Sequence, residues 1–107
     1  MNDRDKLIMS LEDAITELKV RRDDPSTPAN ERIQIDARVA QLEAQLAQIR
    51  AAGIAAAAAG VALQPPSAAV AAQMRDVARQ LDDAVAKAKQ TSAIVALINT
   101  AVAVLTT

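Results

Sequence analysis

The chain has no cysteine, histidine, phenylalanine, tyrosine or tryptophan, and only two glycines and four prolines in 107 residues. Each absence removes some chemistry. Without histidine there is no side chain whose ordinary pKa lies near neutrality, no Ser-His-Asp or Cys-His unit and no imidazole metal ligand. Without cysteine there is no disulfide, zinc–thiolate site or iron–sulfur cluster, and cysteine usage carries no information about compartment. Without aromatics there is no stacking platform for bases, no cage for a cation and no interfacial Trp/Tyr belt. The residues that remain point to a non-enzymatic protein with no catalytic residue, cofactor, metal or small-molecule substrate.

Charge is nearly balanced, with 12 basic and 13 acidic residues and a net of −1. That balance lacks the basic excess of a nucleic-acid binder. Its distribution is uneven, because residues 51–74 and 90–107 carry no charged side chain, and a short mixed-sign block separates them. The N-terminus, Met1-Asn2-Asp3-Arg4-Asp5-Lys6, has no apolar core or cleavage pattern of a secretory signal, so a cytoplasmic location is the default expectation.

Alanine dominates what is present. Of the 51% hydrophobic residues, 26 are alanines and 29 are larger aliphatics. Their spacing is helical. Leu7, Leu11, Ala14 and Leu18 recur every three or four residues, with Ile8 and Ile15 widening the stripe, which predicts a helix over 3–23. Asp23-Asp24-Pro25-Ser26-Thr27-Pro28 interrupts it, since prolines are excluded from helix interiors. Thr27 before Pro28 reads as an N-cap with proline in the first turn.

A second helix is expected over 28–63, about 54 Å long if unbroken. Ile35, Val39, Leu42, Leu46 and Ile49 set its frame, which continues through Gly53, Ala56, Gly60 and Leu63. The two glycines share one heptad position, suggesting close approach of a neighbouring backbone, and a break near Gly53 is the plain alternative. Gln64-Pro65-Pro66 ends this stretch, and Ser67 is placed to cap the next helix. The frame from Val70 through Met74, Val77, Leu81, Ala84, Ala88, Thr91, Val95, Ile98 and Val102 to Leu105 predicts a helix over 67–106, either continuous or broken near 90–92. Ile94, Leu97 and Val104 fall off that seam and make the last stretch apolar nearly all round.

These patterns predict one all-α domain over 1–107, an antiparallel three-helix or four-helix bundle with coiled-coil heptad seams, in which the third helix returns along the second. Its tip would be uncharged, because Ala51 to Leu63 holds only Ala, Gly, Ile, Val and Leu. Such a surface suits self-association or a protein partner, through Gly53, Ile54, Ala57, Gly60, Val61 and Leu63 together with Ile94, Leu97 and Val104. The alternative is a membrane- or lipid-surface-active bundle, of pore-forming or granule-coating type, that inserts the hairpin 51–74. Thirteen helical residues reach only about 20 Å against a hydrocarbon core of about 30 Å. The charged block, with Arg75, Asp76, Arg79, Asp82, Asp83, Lys87 and Lys89, reads as a solvated face.

The frame makes a stability prediction. Leu46→Ala and Leu81→Ala should each cost about 2–5 kcal/mol in denaturant unfolding followed by far-ultraviolet circular dichroism. A loss below about 1 kcal/mol at both positions would show the frame to be misplaced.

Overall fold

The computed structural model describes residues 3–58, 60 and 67–106, leaving aside the exposure of Gly53 and the side chains at 56 and 57. The described residues form four helices and no strand: α1 (Asp3–Asp23), α2 (Ala29–Ala58), α3 (Ala68–Ala86) and α4 (Thr91–Leu105). The long axis is 48 Å. It is set by α2, whose 30 residues extend about 45 Å at 1.5 Å per residue.

The side chains that recur at helical spacing are the buried ones. Leu7, Leu11, Ala14 and Leu18 on α1, and Ile35, Val39 and Leu42 on α2, are all but inaccessible, as are Leu81 and Ala84 on α3. Acidic Asp3 and Asp5 in the first turn of α1 and basic Arg21 and Arg22 in its last complement the helix dipole. Between α1 and α2 the chain turns tightly. The Asp24 carboxylate accepts from the Ser26 backbone N–H at 2.8 Å and from its hydroxyl at 2.7 Å, an Asx turn that pre-forms the reversal. The Thr27 hydroxyl, expected to cap α2, donates instead to the Arg21 carbonyl at 2.7 Å and closes the end of α1. Arg32 reaches back from α2 to the Thr27 and Pro25 carbonyls, tying the loop down from the other side.

Ion pairs give the helix directions. Glu12–Arg50, Lys19–Glu43 and Arg22–Asp36 run with opposing residue numbers, so α1 and α2 are antiparallel. Each such surface pair contributes about 0–1 kcal/mol, so they set register more than stability. Arg75 pairs with Asp3 at 2.8 Å, and Asp13 and Asp82 line one groove with them, so α1 and α3 run parallel. Thr91, at the start of α4, accepts from Arg21 at the end of α1 at 3.2 Å, and Arg38 donates to Asn99 at 2.9 Å. Accordingly α4 descends alongside α2.

Three expectations are corrected. First, α3 does not return along α2: it packs on α1 and α4, and α2 and α3 make no contact among the described residues. The reason lies in stripe width. Ile15 widens the buried face of α1, whereas α2 buries only the narrow line through Ile35, Val39, Leu42, Leu46 and Ile49. A wide face takes several partners and a narrow one takes few. Second, α2 passes through Gly53 but ends at Ala58, short of Leu63. Gly60 adopts φ +72, and nothing lies within 4 Å of where a Cβ would be. It is in the left-handed conformation, which glycine takes without steric cost, and gives no close approach between helices.

Third, the last frame shifts phase. Residues 87–90 separate α3 from α4. Here Lys89 N–H donates to the Ala84 carbonyl at 3.0 Å and Ala88 N–H to the Val85 carbonyl at 3.2 Å, the bond pair of a Schellman C-cap. After that reset the buried line of α4 is Ile94, Ile98, Ala101 and Leu105, in place of the line through Thr91, Val95 and Val102. The expectation that this stretch is apolar on all sides is met by one buried face and an outer face of small or polar residues such as Ser92, Ala96, Asn99 and Ala103.

The cap leaves Ala88 at φ 51, where a Cβ is unfavourable by about 1–2 kcal/mol. Ala88→Gly should therefore raise unfolding stability by about 0.5–1 kcal/mol, after subtracting the added freedom of the unfolded chain. A loss of stability in chemical denaturation would contradict this account of the break.

Candidate interaction surfaces

Two surfaces stand out, at opposite ends of α2. The first is uncharged. Beyond Ile49, the last side chain of α2 in the core, Ala51, Ala52, Ile54, Ala55 and Ala58 are all exposed. Ile54 is 70% exposed, as is Ile33 at 71% near the other end of α2, but only Ile54 sits among uncharged neighbours. The start of α3 is similar, with Ala68, Ala69 and Ala72 exposed. Ser67 caps this helix by accepting from the Val70 N–H at 3.3 Å. Arg50 and Arg75 border the uncharged end, and both are drawn onto α1, to Glu12 and Asp3 respectively.

The proposed contact residues thus separate. Ile54 stands open on α2, and Gly60 lies in an exposed turn. The exposure of Gly53 and the side chain of Ala57, and residues Val61 and Leu63 entirely, lie outside what the structure describes. Ile94 is completely buried, so its expected contact role is corrected: the phase shift in α4 turns it into the core. Leu97 and Val104 are half-buried against that core and keep part of their surface free.

The second surface is a half-open cleft of about 930 Å³ between the first turns of α2 and the start of α4, closed at one end by Arg21. Pro28, Ala88 and Val95 are its accessible apolar members, and the lining residue Ile35 is almost wholly buried. Arg38 crosses part of it, donating to Gln41 at 3.0 Å and Asn99 at 2.9 Å. The sequence reading missed this cleft, because it needs α2 and α4 side by side at a distance that periodicity does not specify. Among the described residues, no three carboxylates converge as a metal site would require.

Electrostatics around the neighbouring turn are local. The two bonds from Ser26, backbone first and hydroxyl second, hold the Asp24 carboxyl below its ordinary range. The guanidinium of Arg22 is pushed up by its hydrogen bond to Asp23 and, against some desolvation, by Asp36. No family model, curated protein or solved structure matches the chain.

Because the pKa of Asp24 is depressed on folding, its contribution to stability is present above the unfolded-state pKa and is lost as pH falls through the folded-state value. The Asp24 carboxyl, followed by carbon-13 NMR, should titrate below the ordinary aspartate range of about 3.9. Ser26→Ala should move its midpoint upward, by removing the hydroxyl donor while keeping the backbone one. An unmoved midpoint would mean that the hydroxyl does not hold the carboxylate.

Proposed function

We propose that this chain is a non-enzymatic structural protein, a four-helix bundle with short heptad-spaced seams, that self-associates through its uncharged end. The observation that carries this reading is the last stretch of α2. Every described side chain from Ala51 to Ala58 is exposed, none is charged, and Ile54 is 70% exposed. Alanine surfaces let helix backbones approach closely, and an uncharged face brings no like charges together when two copies meet. Burial of Ile54 alone would contribute about 1.5–3 kcal/mol per copy. Residues 97 and 104 offer a second, smaller apolar contact.

The same surface could meet lipid, and two observations favour protein instead. No helix among the described residues is long and apolar enough to cross a membrane. The two arginines that border the uncharged end already have carboxylate partners on α1, which each would have to exchange for a lipid phosphate.

Light scattering over a range of concentrations tests the proposal, with refractive-index detection because the chain has no Tyr or Trp. The expected result is a defined oligomer that Ile54→Glu converts to monomer without loss of helicity by circular dichroism. A monomer at every concentration would overturn self-association. Flotation of the wild-type chain with liposomes, abolished by Ile54→Glu, would then favour the lipid-surface alternative.

A further inference from the structure

The cleft between α2 and α4 lies at the other end of α2 from the uncharged surface and plays no part in the proposed self-association. It exists because the two helices run side by side yet barely touch, their closest tie being Arg38 to Asn99. Its accessible apolar members are Pro28, Ala88 and Val95, while Ile35 is almost wholly buried behind them. Arg21, Arg38 and Lys89 line it against one carboxylate, Glu31. Arg21 is already neutralised by Glu17 at 3.1 Å. Arg38 bonds only to the neutral amides of Gln41 and Asn99. Among the described residues, neither Arg38 nor Lys89 is in an ion pair. A chain of net charge −1 thus has a cleft whose uncompensated charge is positive.

We propose that this cleft docks an acidic amphipathic helix of a partner protein, its apolar stripe against Val95, Ala88 and Pro28 and its carboxylates toward Arg38 and Lys89. Length fits this occupant. The α2 wall runs from Pro28 to Arg38, about 15 Å, which matches about ten helical residues. A helix laid in such a groove is read by anchors at i, i+3, i+4 and i+7. Cationic groups around the anchors select the sign of the partner and speed its encounter. A second copy of this chain is a poor occupant. The exposed mixed-charge face of α3, with Asp76, Arg79 and Asp83, has no apolar stripe to offer. Nucleic acid is disfavoured by the apolar lining and the lack of any aromatic for stacking.

The test uses the whole chain, labelled for NMR, and two synthetic peptides of about fourteen residues, long enough to exceed the cleft. Both carry leucine at the anchor positions; one has glutamate and the other lysine at the remaining sites. The glutamate peptide should shift the backbone amides of Ile35 and Val95, with affinity falling as salt is raised. Arg38→Glu and Lys89→Glu should each weaken it by about tenfold or more, with circular dichroism confirming that the variants remain helical. No shift with the glutamate peptide would overturn the proposal. So would equal binding of the lysine peptide, or unchanged affinity after both charge reversals. Perturbation of the same amides by a random-sequence oligonucleotide but not by the peptide would overturn it in favour of nucleic acid. Because Ile54 is not in this cleft, its charge variant should bind the peptide normally, which separates this outcome from the fate of self-association.

Discussion

Burial of α1 on three sides is the constraint on which the rest of the structure depends. Leu7, Leu11, Ala14 and Leu18 are fully enclosed, and Ile15 nearly so. Among the described residues α1 packs against each of the other three helices, whereas α2 and α3 do not meet. A leucine fully removed from water contributes about 1.5–3 kcal/mol. A row of them on one helix outweighs the surface ion pairs, each worth about 0–1 kcal/mol. With no aromatic ring available, the core is built from larger aliphatics, Met74 among them, and from buried alanines such as Ala14, Ala84 and Ala101.

The remaining architecture follows from that centre. α3 and α4 lean on α1 and on each other, while α2 is attached along a single line of side chains. Because α2 is long and α1 short, its last turns run past Ile49, the last side chain it commits to the core. Because α2 and α4 do not close on each other, a cleft remains between them. Both candidate surfaces therefore arise from the same fact, which is that α2 is the least embedded helix. The two surfaces differ in chemistry because the charges differ along α2: Glu31, Arg32, Asp36, Arg38, Glu43 and Arg50 punctuate its first part, and nothing charged follows.

The turns show how local chemistry serves that packing. Asp24 and Ser26 form a reversal that needs no help from the core, and Arg32 reinforces it. The α3–α4 turn is the opposite case. Its C-cap places an alanine where glycine is usual, so the break between α3 and α4 is not announced by the residue that usually marks one. The polar run Gln90-Thr91-Ser92 was the only visible hint, and the break falls just before it.

Helical class was legible in the sequence because side-chain spacing and alanine content are local properties. The buried lines on α1 and α2, from Leu7 to Leu18 and from Ile35 to Ile49, can be read directly from intervals of three and four. The uncharged character of Ala51 to Ala58 is equally a property of composition. Which helix neighbours which could not be read, because periodicity reports that a face is buried and not what buries it. The folded structure decided that α3 lies on α1, that Ile94 turns inward while Val95 faces a cleft, and that Gly60 takes a left-handed conformation instead of admitting a neighbour. The seat of α3 depends on the distance and angle between segments far apart in the chain, chosen by how the whole set of apolar faces can be covered at once. The inward turn of Ile94 follows from a C-cap whose alanine does not announce it, and Gly60 from a backbone conformation that spacing does not report.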